Sequence, residues 1–229
     1  MSSFDPVVRR RVTPVDPEVA NVKILVVGDV GVGKTALVRA FCEQKAGLPP
    51  SLEPTVGADF RSRHYGLNGR EVRVSIWDVS GDPELLEVRN EFYKEAQGIM
   101  MVCDTTARRT FQDLEGWFTE MQKFGPGGMK CTVVGTKIES GPRSVVEQAA
   151  KDWAQGKSAT YFEVSAAVGK NIEAPFRDLI SRLALSLGSL RASSARGSRE
   201  RAMHRRASGP YHRPFSLGPA WEVQKFGGS

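Results

Sequence analysis

The chain has 229 residues, 40% of them hydrophobic and 25% charged, with a net charge of +6. That length gives room for one domain of about 150–200 residues plus tails, and the composition is that expected of an ordinary soluble globular protein. From Ser189 onward eight Lys/Arg stand against two Glu, so the whole excess lies there, residues 1–188 sum to zero, and the basic balance says nothing about the core.

Residues 1–20 are polar, carry Pro6, Pro14 and Pro17, and read as a flexible extension without the apolar stretch of a signal peptide. Val22–Val27 is a short apolar run ending at Gly28, which predicts a strand buried on both faces. A helix follows over Lys34–Gln44, with Leu37, Val38 and Phe41 on its inner side. Pro49, Pro50 and Pro54 make Gly47–Pro54 a loop. Phe60–Tyr65 and Val72–Trp77 are predicted strands, joined around Gly66-Leu67-Asn68-Gly69 as an antiparallel edge pair.

Gly98–Cys103 is the next strand, and Phe111, Leu114, Phe118 and Met121 recur at the spacing of one helix. Cys131–Val134 is a strand, and Ser144-Val145-Val146-Glu147 has the pattern of a capping box. Tyr161–Val164 is a last short strand. Asn171 is placed to cap a final helix whose buried stripe is Ile172, Phe176, Leu179, Ile180, Leu183 and Leu187. This alternation predicts an α/β fold: a mostly parallel six-stranded sheet with helices on both faces, over residues 21–188. Ser189–Pro210 is rich in Arg, Ser, Ala and Gly, and residues 189–229 are expected to be a basic, disordered tail.

Cys42, Cys103 and Cys131 have neither paired nor metal-like spacing and read as buried, reduced core residues. No apolar run approaches the roughly 18–20 residues that span a bilayer. The expected location is cytoplasmic. His64, His204 and His212 lack ligand spacing and receive no role, and Trp117 and Trp153 read as packing residues.

Gly28-Asp29-Val30-Gly31-Val32-Gly33-Lys34-Thr35 fits the phosphate-loop pattern GxxxxGK[ST], between a buried strand and a helix. Such a loop wraps backbone N–H groups around phosphate oxygens at a helix N-terminus, where the helix dipole also favours anions. Asp29 through Ala36 are therefore candidate nucleotide contacts; Lys34 would neutralise the β- and γ-phosphates, and the Thr35 hydroxyl would ligand Mg2+. Asp78-Val79-Ser80-Gly81 follows the Val72–Trp77 strand. There Asp78 can hold magnesium through water, and Gly81 can offer its N–H to a γ-phosphate. Thr55, in Pro54-Thr55-Val56-Gly57, adds a hydroxyl that completes the metal shell only with triphosphate bound, which would order and release its loop.

Together these segments resemble the Ras superfamily, its Rab-like branch most closely, over about residues 20–188. The wording Glu87-Val88-Arg89-Asn90-Glu91-Phe92-Tyr93-Lys94 is similar to the Rab-like group known as Rbj or RJL, some of which carry a C-terminal J domain. No His-Pro-Asp stands here, and Phe215–Phe226 resembles at most a vestige of such a domain. The resemblance implies a Ras-like P-loop NTPase fold and a monomeric switch that binds GTP or GDP with Mg2+ and hydrolyses GTP. Effectors and exchange factors would meet residues 47–57 and 79–93, with Trp77 at a position that Rab-like proteins use for effectors. The catalytic set carried over is Lys34, Thr55, Gly81 and the weak Asp82. Ser165-Ala166-Ala167 resembles the guanine-contacting segment, and relatives of the group lend an expected basal-body or flagellar association.

Four positions depart from that pattern. Asp82, followed by Pro83, replaces the glutamine that orients attacking water, and Val30 stands where Ras has glycine. Both predict slow hydrolysis and resistance to an arginine finger. The guanine-reading NKxD appears as Thr136-Lys137-Ile138-Glu139, in which Glu139 keeps the carboxylate but Thr136 lacks the bracing amide. The aromatic that edges the base appears as Ala46. The alternative reading is a pseudo-GTPase scaffold with weak or structural nucleotide binding. Ser2 after Met1 and the absence of cysteine beyond Cys131 predict no lipid anchor. The arginines at 191–213 lack aromatic interleaving, so no nucleic acid is expected. Arg205-Arg206-Ala207-Ser208 resembles a basic-directed kinase site.

Overall fold

The computed structural model describes residues 20–47, 54–67 and 69–186, all within the unit Met1–Gly188. The expectations for the N-terminal extension, Pro49, Pro50, Asn68, Leu187 and the basic tail fall outside the described residues.

Six strands form one sheet in the order β2-β3-β1-β4-β5-β6. They are β1 (Ala20–Val27), β2 (Ala58–Leu67), β3 (Arg70–Val79), β4 (Gly98–Asp104), β5 (Lys130–Thr136) and β6 (Thr160–Glu163). All neighbouring pairs are parallel except β2 with β3, which run antiparallel in register from Ala58 opposite Val79 to Leu67 opposite Arg70. The connection is thus shorter than the four residues marked in the sequence, and Gly69 supplies the left-handed backbone, φ 74°, that a two-residue hairpin needs.

The helices are α1 (Lys34–Glu43), α2 (Leu86–Tyr93), α3 (Arg108–Gln112), α4 (Leu114–Phe124) and α5 (Glu147–Gly156), with α6 over residues 173–186. Strand alternation sends β1 side chains to opposite faces. Val22, Ile24 and Val26 pack with Leu37, Val38 and Phe41 of α1 and with Phe176, Leu179, Ile180 and Leu183 of α6. Leu25 and Val27 pack with Tyr93 of α2, Leu114, Trp117 and Met121 of α4, and Ala150 and Ala154 of α5. Phe41 and Phe176 stack at 3.8 Å between ring centres, joining α1 to α6. Each such fully buried side chain contributes about 1.5–3 kcal/mol relative to exposure.

Four local expectations change. The helical spacing from Phe111 to Met121 is split at Asp113 into α3 and α4. The capping box does not form: α5 opens after Val146 without a side-chain cap, and Ser144 instead donates its backbone N–H to Thr105 O at 2.9 Å. Asn171, at φ 58°, donates its side-chain amide to Glu163 O rather than accepting from the first turn of α6. Cys42 is half-buried, while Cys103 and Cys131 are buried and all three are free thiols.

β1 runs straight into the phosphate loop at Gly28, where the backbone passes against β4. A Cβ at Gly28 would lie 2.2 Å from Val102 O, and φ is 141°. Gly28→Ala is therefore expected to cost about 3 kcal/mol or more of stability, read as a lowered urea midpoint at unchanged slope. A midpoint equal to wild type would remove the close approach as the reason for glycine here.

Candidate functional site

The phosphate loop hangs between β1 and α1. Gly31 and Gly33 adopt φ 78° and 97°, and Gly33 caps α1 without any side-chain hydrogen bond. The first amides of α1 are thus left for an anion, and no acidic residue occupies the first turn to compete. Lys34 is only 6% exposed, and its Nζ donates to Gly28 O at 2.7 Å and Asp29 O at 2.8 Å. Burial pulls its pKa down to about 8, against the opposing pull of Asp78 and Asp29. A buried ammonium held only by carbonyls gains strongly from an anion.

Three segments meet beside it. Thr35 Oγ1 lies 2.8 Å from Thr55 Oγ1 and donates to Asp78 Oδ2 at 2.5 Å, with Thr55 at 3.5 Å from the same oxygen. Asp78 is 1% exposed, and its Oδ1 has no partner among the described residues. Burial raises its pKa, while Thr35 and Lys34 pull it back. An all-oxygen set with one orphaned carboxylate oxygen suits a hard cation, and 2.8 Å matches adjacent ligands of an octahedral Mg2+, about 2.9 Å apart.

Lys34, Thr35 and Thr55 border a cavity of about 340 Å³. Val30, Gly31, Gly33, Lys34, Thr35, Ala36 and Thr55 line it together with Thr136, Lys137, Glu139, Ala166 and Ala167. Pro54, Ser80, Gly81 and Ser140 also line it. Asp29, Val32, Asp78, Asp82 and Ser165 do not border it. Ser165 is fully buried, exchanges backbone hydrogen bonds with Lys170, and takes the Val168 N–H on its hydroxyl, so it shapes the turn that presents Ala166 and Ala167. Ala46 sits against Gly169, and the neighbouring Gly47 N–H donates to Ala166 O at 3.2 Å.

Three departures from the family pattern acquire a physical form. Thr136, lacking an amide, still braces the loop: its hydroxyl lies 2.5 Å from Val32 O and 3.0 Å from Cys103 O. A hydroxyl has one proton to share between those two carbonyls, whereas an asparagine amide has two. Asp82 does not line the cavity; its carboxylate accepts the Glu84 N–H at 3.0 Å as the cap of the 3-10 turn Pro83–Leu85. Val30 is 55% exposed and stands at the cavity mouth.

Sequence spacing missed Arg89, Trp117 and Asp104. Asp104 Oδ2 pairs with Lys137 Nζ at 2.8 Å, fixing the side chain of a residue that lines the cavity. Trp117 Nε1 donates to Asp29 Oδ1 at 2.8 Å. A lone arginine, tryptophan or aspartate inside an element carries no spacing signal, so only the fold shows what each one meets.

The Ras family model matches residues 23–185. DnaJ homolog subfamily C member 27-A of Xenopus laevis is 36% identical over 169 residues, which are 71% of this chain and 61% of that protein. Ras-related protein Rab-30 of Homo sapiens is 33% identical over 163 residues, 70% of this chain and 79% of that protein. The chain thus spans about three fifths of the length of the DnaJ-named relatives. The matched stretch takes in the phosphate loop, the Thr35, Thr55 and Asp78 oxygens and the whole cavity lining, and the chain belongs to the Ras family.

Proposed function

We propose that this chain is a small guanine-nucleotide switch that hydrolyses its triphosphate slowly. The observation that carries the reading is the convergence of Thr35, Thr55 and Asp78, from three separate segments, on one oxygen cluster next to Lys34. GTP would supply the phosphoanhydride and Mg2+ the charge neutralisation. The amides of residues 31–35 and the Lys34 ammonium would hold phosphate, and the Thr35 and Thr55 hydroxyls with the Asp78 carboxylate would hold the metal. Glu139, which also lines the cavity, would accept from the guanine N1 and N2 hydrogens.

Slow hydrolysis is supported by Asp82, whose carboxylate is spent on Glu84 N–H, and by the Val30 side chain at the cavity mouth. The two loops are already joined, because Ser80 N–H donates to Gly57 O at 2.8 Å, so loss of the Thr55 contact would be felt at residues 79–93. The surface offered to an effector includes Trp77, half-buried and packed between Phe60 at 4.9 Å and Phe92 at 5.0 Å.

The test is titration of the purified chain with fluorescent GDP, GTP and ATP in Mg2+, followed by single-turnover hydrolysis. Guanine-nucleotide binding with slow turnover supports the proposal. Absence of binding sinks it, and fast turnover sinks its slow-hydrolysis half. Glu139→Ala is expected to lower the GTP-over-ATP ratio by about tenfold to a hundredfold, because a charged acceptor to two N–H donors is lost. A ratio unmoved by that change would remove Glu139 from base reading. A second reading, a scaffold that uses nucleotide structurally, is favoured by one observation: Glu139 is exposed and its carboxylate is taken by the Ser140 hydroxyl at 3.1 Å. Weak binding of all three nucleotides would favour it.

A further inference from the structure

Arg89 projects from α2 and is 4% exposed, so its charge is buried and must be answered. Its Nε and Nη2 donate to the two carboxylate oxygens of Glu120, on α4, at 2.6 and 3.0 Å. Its Nη1 donates to Ser80 O at 3.1 Å and Asp82 O at 3.0 Å. The guanidinium also lies 4.6 Å from the centre of the Trp117 ring, whose N–H holds Asp29 of the phosphate loop. One planar group therefore grips the two carbonyls on either side of Gly81. An arginine fork can do this while keeping a bidentate pair, and a lysine cannot.

The Ser80 carbonyl and the Gly81 N–H belong to one peptide plane, and no cis peptide occurs among the described residues. In a trans peptide these two groups point in opposite directions. Holding the carbonyl on Arg89 turns the Gly81 N–H to the side away from Arg89. That is the side of the cavity, which Ser80 and Gly81 line and Arg89 does not. The neighbouring N–H groups are both engaged, Ser80 with Gly57 O and Asp82 with Ser80 Oγ at 3.2 Å. The Gly81 N–H alone of the three has no partner among the described residues. A Cβ at Gly81 would lie 2.4 Å from Gly28 O and 2.6 Å from Val30 N, so this peptide rests directly on the phosphate loop.

We infer that Arg89 is a positioning residue that presets the Gly81 N–H as the donor to a terminal phosphate, so that triphosphate preference over diphosphate rests on the Arg89–Glu120 pair. The inference builds on the nucleotide-switch reading above. A diphosphate ends short of Gly81 and gains nothing from the preset peptide. A triphosphate gains a charge-assisted hydrogen bond whose donor needs no reorientation, which corresponds to about tenfold to a hundredfold in affinity.

The experiment uses the full chain. Affinities for GDP and for a non-hydrolysable GTP analogue are measured in wild type, Arg89→Ala, Arg89→Lys and Glu120→Gln, with a thermal melt of each. Arg89→Ala is expected to lose about tenfold to a hundredfold for the analogue and less than about threefold for GDP. Arg89→Lys is expected to resemble Arg89→Ala, since one ammonium cannot hold both carbonyls and both Glu120 oxygens. Glu120→Gln, which keeps the arginine but removes its counter-charge, is expected to shift the same ratio by a smaller factor; it decides the matter if the Arg89 variants do not fold. A parallel fall for both nucleotides, or an unchanged ratio in Glu120→Gln and in every folded Arg89 variant, overturns the inference while leaving the switch intact. Wild type that binds neither nucleotide overturns both.

Discussion

Lys34→Met is expected to lower guanine-nucleotide affinity by roughly 10²–10⁴-fold, the loss of two charge-assisted hydrogen bonds from a buried cation to phosphate. Methionine matches the length of lysine and suits a site that is only 6% exposed, so the change removes the charge with little change of shape. The ammonium now rests on Gly28 O and Asp29 O, two weak acceptors for a full charge, and burial has already pulled its pKa down to about 8. Equilibrium titration with fluorescent GDP reads the loss, and a urea unfolding curve run alongside separates it from instability. Affinity within threefold of wild type, in a folded variant, would mean that Lys34 does not reach the phosphates.

The second large effect is on rate. The double change Val30→Gly with Asp82→Gln is expected to speed single-turnover hydrolysis by about tenfold to a hundredfold, the lower end of what a positioned water-handling side chain contributes. It should also admit an arginine finger, which supplies roughly 10³–10⁵-fold when one is offered by an activating protein. Neither single change is enough. Val30→Gly clears the cavity mouth but leaves Asp82 facing Glu84 N–H. Asp82→Gln supplies the amide but leaves the branched side chain of Val30 at the cavity mouth, and it forfeits a cap worth about 1 kcal/mol. If the double variant hydrolyses no faster than wild type, the cause of slow turnover lies elsewhere in the site.

The parts of this molecule legible in the sequence are those with a period or a fixed spacing. The burial of β1 on both faces, the hairpin of β2 and β3, and the α6 stripe from Phe176 to Leu183 follow from strand and helix periodicity. The phosphate loop follows from glycines at set intervals. The errors are of another kind. Ser144 and Asn171 have the residue types of helix caps, yet each finds a better partner across the fold, Thr105 O and Glu163 O. Cap chemistry is local, and a carbonyl brought close by tertiary structure outbids it. At the site, residue identity showed what Asp82 and Thr136 lack, but not what they do instead. The cap on Glu84 and the brace on Val32 depend on side-chain direction, which spacing does not encode. Arg89 was visible only as part of a family wording, and its grip on Glu120 joins helices 31 positions apart.

The central place of β1 has a kinetic meaning. Ile24 to Val27 are fully buried, and the strand is paired along both edges, so its amides meet solvent only when the sheet itself comes apart. The phosphate loop starts at the next residue and inherits that floor. The segments around Thr55 and Gly81 flank it, joined to each other by the Ser80 N–H on Gly57 O and with Gly81 resting on Gly28 and Val30. An anion held in the loop would therefore be expected to leave by movement of those two segments, with the sheet intact, so its residence time would not track the lifetime of the fold.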